Sequence, residues 1–191
     1  NKTFHYRRSL IPCPTDATIR PESKVMVARG VEERNALNSE EYECMRAVED
    51  THWWYRGLHA LVHRALDRHG SGRTRTVDVG CGTGGMAVRL NPNTLSAALD
   101  FNPEALEYCR ARGVPRLLRG DAGALPLGDG FVDAALMLDV LYHKNIADPS
   151  AVLREVNRVL APGGIVVLNV PAYQWLYSSH DVAVHTGRRF T

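Results

Sequence analysis

The chain has 191 residues and a formal net charge of +2, with 45% hydrophobic and 23% charged residues. This length allows one well-buried domain and is too short for two comfortable ones. The ordinary composition predicts a packed core rather than disorder. Because the basic residues are scattered and no apolar run approaches the ~20 residues of a membrane helix, we expect neither a nucleic-acid partner nor a membrane.

Cysteine and histidine spacing argues against a metal or disulfide framework. The four cysteines lie far apart and form no C-x-x-C pair: Cys13, Cys44, Cys81 and Cys109. This usage predicts a reduced, cytoplasmic setting. His59 and His63 have the spacing of ligands on one helix face, but no third ligand accompanies them, so no metal site is predicted.

The N-terminal part divides into two segments. Residues 1–25 carry three prolines in a polar stretch without periodicity, so we expect a disordered or non-native extension, with Met26 as the native start. Residues 26–70 are predicted to form an N-terminal helical cap of two helices. The first begins at Asn38-Ser39-Glu40-Glu41, where a capping side chain precedes acids, and the second ends at Gly70.

An aromatic cluster, HWWY at residues 52–55, lies between these two helices. One interpretation is packing against the sheet. The other is a lid in which Trp53 and Trp54 face a bound substrate, because aromatic faces can hold a cation.

From residue 74 onward, strand and helix patterns alternate, which predicts a parallel sheet with helices on both faces. We therefore expect an α/β, Rossmann-like, doubly wound fold. The predicted strands are residues 74–79, 95–100, 116–119, 132–138 and 165–170, and the predicted helices begin at Gly84, after Asn102-Pro103 and after Asp148-Pro149.

The sequence TVDVGCGTGG at residues 76–85 reads as a strand that enters a glycine turn, with a helix behind it. Glycines allow a backbone to approach a ligand closely because they have no Cβ. The N–H groups at the start of a helix suit a negatively charged group. The turn therefore predicts a nucleotide-like ligand.

Two nucleotide classes fit this turn. Gly80, Gly82 and Gly85 satisfy G-x-G-x-x-G, and Asp100 lies where the dinucleotide fingerprint places its ribose acid. An NAD(P)-binding oxidoreductase is therefore one hypothesis. Asp78 favours another ligand, because its carboxylate would repel a pyrophosphate and attract the ammonium of an amino-acid moiety.

Two more motifs follow, GDAGALPL at residues 120–127 and LAPGG at residues 160–164. The carboxylate of Asp121 can accept a hydrogen bond from an exocyclic amine such as that of adenine. Together with the glycine turn and Asp100, these motifs resemble the class I S-adenosylmethionine-dependent methyltransferases. The cluster HWWY at residues 52–55 and the tail from Ser179 to Phe190 resemble a bacterial small-molecule subgroup of that family.

The resemblance covers about residues 37–191. It implies S-adenosylmethionine as cofactor and methyl transfer to a small-molecule acceptor by in-line displacement. It also implies contacts to the methionine part of the cofactor from Asp78, Gly80, Cys81, Gly82 and Gly84, to the ribose and adenine from Asp100 and Phe101, and to the adenine edge from Asp121 and Ala122. Leu138 and Asp139 would line the reaction centre.

Acceptor residues are expected beyond the fourth predicted strand, where the crevice of such a sheet lies. His143 is the candidate base, needed only where the acceptor must lose its proton early. The alternative is a histidine that fixes the loop by hydrogen bonding. Tyr142 and His180 are further candidates for the acceptor side.

The family's sheet normally has seven strands, the last two forming an antiparallel hairpin. Residues 171–191 do not read as two apolar strands, so we expect a truncated methyltransferase core at 71–191 without strands six and seven. Residues 165–168, IVVL, would then form an uncovered edge and a route to self-association. An inactive cofactor-binding fragment is accordingly a further alternative.

Overall fold

A computed structural model describes residues 25–27, 39–69, 75–90 and 95–191. Residues 1–24 of the expected extension, the expected cap Asn38 and the helix stop Gly70 lie outside the described residues. The strands are β1 (Val25–Val27), β2 (Arg75–Val79), β3 (Leu95–Asp100), β4 (Leu117–Arg119), β5 (Val132–Leu138) and β6 (Leu160–Asn169). The helices are α1 (Ser39–Val48), α2 (Trp53–His69), α3 (Pro103–Ala111), α4 (Pro149–Val159) and α5 (Ser179–Ala183).

The six described strands form one sheet in the order β1-β4-β3-β2-β5-β6, and every pair of neighbours is parallel. The chain starts the doubly wound part at β2, moves to one side through β3 and β4, and returns to the other side through β5 and β6. In such a sheet, ligands bind at the carboxyl ends of the strands where the strand order reverses. The fold class predicted from sequence is thus confirmed.

Helices bury both faces of the sheet. Val77 and Val79 of β2 pack with Val156 of α4 in one cluster, whereas Leu136 of β5 packs with Val62 of α2 in another. All five side chains are at most 1% exposed. The alternation follows from the period of two along a strand, and it places the apolar stripes of α2 and α4 on opposite faces.

Two of the predicted helix caps are present as expected. The side chain of Asn102 accepts the Glu104 N–H at 3.0 Å, and that of Asp148 accepts the Ser150 N–H at 2.8 Å. A proline follows each cap, where its missing N–H costs nothing.

The predicted helix from Gly84 to residue 90 is wrong. The structure has a single 3-10 turn there, Ala87–Arg89. Two adjacent glycines at its start and Pro92 close behind leave too short a run for an α-helix.

Both edges of the sheet differ from expectation. The strand β1 was not predicted, and it pairs with β4 through Val25 opposite Leu117, so a sheet strand precedes the helices of the cap. The strand β6 is longer than residues 165–170, because Leu160 pairs with Val132 and Ile165 with Ala134. An irregularity between these pairs accommodates the LAPGG turn, where Gly163 has φ 75°.

Within the described part of the chain, β6 pairs only with β5, and Val166 and Leu168 are each 40% exposed. After β6 the chain forms a 3-10 turn at Gln174–Leu176 and then the short helix α5. None of the helices described combines the length and apolar character that crossing a bilayer requires.

Candidate cofactor and acceptor site

Two acids meet at the carboxyl edge of the sheet because β2 and β3 are parallel neighbours. Asp78 lies next to the last residue of β2, and Asp100 ends β3. Asp78 is 2% exposed and Asp100 is 5% exposed, so both carboxylates are held out of water. Such groups require a partner or shift their pKa.

Asp78 lacks a partner for one oxygen. Its Oδ2 is buried and accepts no hydrogen bond from the described residues. Burial raises the pKa of Asp78 to about 7, and the charges of Glu49 and Asp100 act in the same direction. A buried carboxylate with an unfilled acceptor is suited to a cationic donor, which would restore its charged form.

Asp100 is held by the backbone. Its Oδ2 accepts the Gly82 N–H at 3.0 Å and its Oδ1 accepts the Asn102 N–H at 3.0 Å. Burial raises the pKa of Asp100 to about 6, while these N–H groups act in the opposite direction. Each carboxylate oxygen can accept a second hydrogen bond, so the two together can receive a ribose diol.

The glycines of the turn are required by the protein's own packing. A Cβ on Gly80 would lie 2.3 Å from Cγ2 of Val140, and one on Gly84 would lie 2.8 Å from Sγ of Cys109. Both glycines have positive φ, 73° and 82°. The motif that predicted ligand binding therefore also fixes the turn against its neighbours.

Cys81 packs inside the turn. Its Sγ lies 3.5 Å from Sγ of Cys109, and both thiols are buried. The hydrogen bond with Cys109 and burial raise the pKa of the Cys81 thiol well above its ordinary value. Cys81 is accordingly an unreactive thiol, and its backbone N–H donates to Leu99 O at 3.0 Å.

Helix α1 covers the glycine turn, and this packing was not predicted from the sequence. Tyr42 is 2% exposed and stacks on Tyr108 with ring centroids 6.4 Å apart, and Sδ of Met45 lies 3.3 Å from a Cβ placed on Gly82. Tyr42, Met45 and Glu49 fall on one face of a helix by their spacing of three and four residues. The spacing of these three residues indicates a buried helix face, but Glu49 was not predicted to belong to that face.

Glu49 directly follows α1 on this face and enters the turn. It is 6% exposed, and its carboxylate accepts from the Thr83 hydroxyl and from the Gly85 N–H, the latter at 3.2 Å. The Arg112 guanidinium lies 2.8 Å from Glu49 Oε2. Arg112 also contacts Asp50 at 2.9 Å, so a network of charges joins α1 to the end of α3.

The expected adenine residues lie beside Asp100 along the edge. Phe101 follows β3 and is half-buried, and its carbonyl accepts from Nε of Arg119 at 3.3 Å, which joins the ends of β3 and β4. Asp121 is partly buried, and its Oδ1 accepts the Gly123 N–H at 2.7 Å within the next turn. Ala122 packs partly buried against the core.

Asp139 begins the loop after β5 with φ 59°. Its N–H donates to Asn169 O at 3.1 Å, and Asn169 Nδ2 donates to Asp139 Oδ1 at 2.7 Å. Non-glycine residues in this region persist only where the surroundings hold them, often at functional sites. Asn169 was missed, although a polar residue at the end of an apolar strand was a signal. The expected neighbour Leu138 is partly buried at the end of β5.

Two tyrosines stand near Asp139. Burial raises the pKa of Tyr55 to about 12, and the charges of Glu49 and Asp139 act in the same direction. Burial also raises the pKa of Tyr142, and the charges of Asp139 and Tyr55 raise it further. Both phenols keep their protons at neutral pH and can donate hydrogen bonds. Tyr55 was not a predicted site residue.

The C-terminal segment folds back over the loop that carries His143. Lys144 N–H donates to His185 O at 3.0 Å, and Gly187 N–H donates to Tyr142 O at 2.8 Å. The rings of His143 and His185 lie 5.9 Å apart. The segment is itself fastened by Arg189, whose guanidinium contacts both carboxylate oxygens of Asp181 at 2.8 and 2.9 Å.

A hydrogen bond between the His143 ring and the backbone fixes the loop. Its Nδ1 accepts the Asn145 N–H at 3.3 Å. Burial lowers the pKa of His143, and the charges of His185 and Lys144 lower it further, so the ring is neutral. A neutral ring that accepts at Nδ1 carries its proton on Nε2 and presents a donor there. This geometry supports the loop-fixing alternative more than the role of base.

The expected lid residues have different environments. Trp53 is 73% exposed and Trp54 is 44% exposed in the first turn of α2, with ring centroids 5.9 Å apart. The side chain of His180 lies outside the described residues.

In the part of the chain that the structure describes, no group of three His, Cys, Asp or Glu side chains could hold a metal ion. His59 packs near Tyr55, and burial lowers its pKa to about 4.

Residues 77–168 match the family described as methyltransferase domain. The matched segment begins in β2 and ends in β6, so it contains the glycine turn, Asp100 and the loop after β5. With the sheet order and the acids at its carboxyl edge, this match supports a class I S-adenosylmethionine-dependent methyltransferase domain. The family implies S-adenosylmethionine as the cofactor.

Known proteins support this assignment. The chain is 41% identical over 131 residues to a demethylmenaquinone methyltransferase of Thermus thermophilus, covering 64% of this chain and 56% of that enzyme. Among solved structures, the cyclase SpnF is 29% identical with a TM-score of 0.52, covering 60% of this chain and 45% of SpnF. DesVI of Streptomyces venezuelae shares the fold at 18% identity with a TM-score of 0.62, covering 75% of this chain and 62% of DesVI. The chain spans about half the length of the curated relatives it matches.

Proposed function

We propose that this chain binds S-adenosylmethionine and catalyses transfer of its methyl group to a small-molecule acceptor. The observation that carries the proposal is the buried Oδ2 of Asp78, which has no hydrogen-bond partner among the described residues. It lies at the edge where the glycine turn and Asp100 meet. An amino-acid ammonium supplies the charge and the donors that this oxygen lacks.

The remaining residues fit the same cofactor. Asp100 would accept from the ribose hydroxyls, and the segment at Phe101 and the turn at Asp121 and Ala122 would border the adenine. The backbone of Gly80, Cys81, Gly82 and Gly84 would surround the methionine part. The family match supports these assignments, because it covers the whole glycine turn.

The same turn disfavours a dinucleotide. The Gly82 N–H donates to Asp100 and the Gly85 N–H donates to Glu49. Two donors that would face a phosphate are therefore already bound to carboxylates of the chain. A pyrophosphate would meet three acids here, Glu49, Asp78 and Asp100, and like charges at close range repel.

When bound, S-adenosylmethionine supplies a methyl group on a positively charged sulfur. The protein mainly aligns the acceptor and excludes water. Asp139, held by Asn169, and the protonated phenols of Tyr55 and Tyr142 provide the polar groups near the end of β5. The loop at His143 and the segment that covers it would limit access of solvent. Trp53 and Trp54 are proposed to contact the acceptor from α2.

A second candidate is a cofactor-binding protein that does not transfer the methyl group. The observation in its favour is the 29% identity to SpnF, which is described as a cyclase. A shared fold does not establish a shared reaction. The demethylmenaquinone methyltransferase, at 41% identity, supports methyl transfer instead.

Titration calorimetry tests the cofactor. We expect wild-type protein to bind S-adenosylmethionine and Asp100→Ala to lose at least about tenfold in affinity, because each lost charged hydrogen bond is worth about 1.5–3 kcal/mol. Asp129→Ala is the matched control, since this acid is exposed and pairs with Arg158 away from the site. Equal affinity of both variants, or saturable binding of NAD instead, would contradict the assignment.

Turnover separates the two candidates. Small-molecule acceptors are screened with cofactor carrying a labelled methyl group. Transfer of label to an acceptor supports the methyltransferase, whereas tight cofactor binding without transfer across the screen favours the second candidate.

A further inference from the structure

We propose that Glu49 is a specificity-determining residue that reserves the glycine turn for a cationic nucleotide and excludes a phosphate-bearing one. This inference rests on the proposed function for its cationic ligand. Its other half, the exclusion of phosphate, depends only on the contacts of Glu49 and can be tested separately.

The Glu49 carboxylate lies directly beside Gly85. A Cβ on Gly85 would lie 2.1 Å from Cδ of Glu49, so the carboxylate fills the space beside this glycine. It accepts the Gly85 N–H and the Thr83 hydroxyl. In a dinucleotide-binding turn, N–H groups at this place bind the pyrophosphate. The anion position of the turn is thus occupied by the chain itself.

A buried cation, Arg112, contacts Glu49. The Arg112 side chain is 6% exposed, and it contacts Glu49 Oε2 at 2.8 Å and Asp50 Oδ1 at 2.9 Å. Removal of the Glu49 carboxylate would leave this guanidinium close to the freed Gly85 N–H and Thr83 hydroxyl. A buried arginine with two further donors is a site for phosphate.

The charge of Glu49 also acts on Asp78. The charged groups that act on Asp78 are Glu49 beside the end of α1 and Asp100 from β3, and both are negative. Glu49 therefore adds to the attraction for a cation at Asp78. Its charge is also one reason why the pKa of Asp78 is raised.

The experiment uses the full chain with Glu49→Ala, Glu49→Gln and the matched control Asp50→Asn. Asp50 contacts the same arginine, yet none of its hydrogen bonds reaches the glycine turn. The probe for phosphate is inorganic pyrophosphate, followed by thermal shift and calorimetry. The probe for the cation is S-adenosylmethionine, measured across a pH series.

We expect Glu49→Ala to gain saturable pyrophosphate binding that wild type and Asp50→Asn lack, and to lose about tenfold or more in affinity for S-adenosylmethionine. Glu49→Gln keeps the size of the side chain and can still accept the Gly85 N–H through its amide oxygen, but its amide nitrogen cannot accept from Thr83 or Arg112. Because the negative charge is removed, the pH midpoint of S-adenosylmethionine binding should move to lower pH. A merely structural role would not move that midpoint.

Two results would overturn the proposal. One is a folded Glu49→Ala that binds pyrophosphate no better than wild type, and the other is Asp50→Asn behaving like Glu49→Ala. Should Glu49→Ala fail to fold, an unchanged pH midpoint and unchanged affinity in Glu49→Gln decide against it. Failure of wild type to bind S-adenosylmethionine would instead reject the proposed function, while the pyrophosphate comparison still judges the exclusion of phosphate.

Discussion

Asp78 shows a conflict between stability and binding within one side chain. The carboxylate is 2% exposed, and one of its oxygens accepts no hydrogen bond from the described residues. Burial of an unpaired carboxylate destabilises a folded protein. Asparagine at this position would pack equally well without the cost in stability. We therefore expect the carboxylate of Asp78 to serve ligand binding.

The first prediction is that Asp78→Asn stabilises the ligand-free protein at about pH 8. The folded pKa of about 7 lies above the ordinary 3.8, so the folded state holds its proton longer than the unfolded state. The destabilising contribution is absent below about pH 4, grows as the pH rises to about 7 and is complete above it. We expect a gain on the order of 2–4 kcal/mol in the free energy of unfolding.

Urea denaturation at about pH 4 and pH 8 measures this gain, and Asp129→Asn serves as an exposed control. The same Asp78→Asn protein should bind S-adenosylmethionine at least about tenfold more weakly, since a charged hydrogen bond is lost. A variant that is less stable than wild type at about pH 8 would show that Asp78 is structural.

The second prediction concerns the pH dependence of binding. The pKa of Asp78 is raised to about 7 and that of Asp100 to about 6, so both are partly protonated near neutrality. A cation favours their ionised forms, and binding should therefore release protons and strengthen as the pH rises from about 5.5 to about 7.5.

Calorimetry in two buffers of different ionisation enthalpy counts the released protons. Asp78→Asn should release fewer protons than wild type. Proton uptake on binding, or affinity that falls over this range, would contradict a cationic ligand at these acids.

At the scale of the element, the sequence predicted the parts of the site that are local motifs. Asp78, Asp100 and the glycine turn follow from a strand running into a turn, and all three meet in the structure. For Glu49 and Asn169 the sequence holds a signal of position but not of role, because their roles arise from contacts across long sequence separations. A buried acid at the end of an amphipathic helix resembles an exposed one until its partners are known.

The third prediction compares two glycines with the same backbone. Gly84 and Gly113 have φ 82° and 80°, but a Cβ on Gly84 would meet Cys109 Sγ at 2.8 Å and one on Gly113 meets nothing within 4 Å. Alanine at either position should cost about 1 kcal/mol in backbone strain. Gly84→Ala should cost a further 1–3 kcal/mol or so from overpacking.

Thermal or urea unfolding of both variants measures the difference. Adding Cys109→Ala to Gly84→Ala should recover part of the extra loss, since the sulfur is removed while the backbone of Cys109 still lies 3.2 Å from the added Cβ. Equal losses for the two single variants would mean that the turn moves freely away from α3.

At the scale of the whole molecule, strand and helix alternation predicted the parallel sheet, whereas the strand order is known only from the structure. The strand β5 carries a nearly continuous apolar run and has the predicted bounds. The edges were harder, because β1 has three residues and no periodicity, and because the LAPGG turn of β6 is absorbed as an irregularity. The pairing of an edge strand depends on the strand beside it, which the local sequence does not show.

The fourth prediction is that the outer edge of β6 mediates self-association. Val166 and Leu168 are each 40% exposed on a strand that, within the described residues, pairs on one side only. Such an edge can pair with a second chain. Val166→Lys and Leu168→Lys should shift the protein toward monomer because charged side chains oppose edge pairing.

Size-exclusion chromatography with light scattering over a concentration series measures the association. Leu95→Lys is the matched control, since Leu95 is also 40% exposed but belongs to the inner strand β3. Monomeric wild type at all concentrations would contradict this prediction.

The pairing of β1 has a consequence for how the chain acquires its fold during synthesis. Val25 lies opposite Leu117, so β1 leaves the ribosome well before its partner β4 exists. Contacts between distant residues form slowly, because a long loop must close first. We therefore expect the sheet to grow outward from β2 and β3, with β1 attaching after β4 is in place. On this expectation, the earliest of these strands to be synthesised is among the last to find its neighbour.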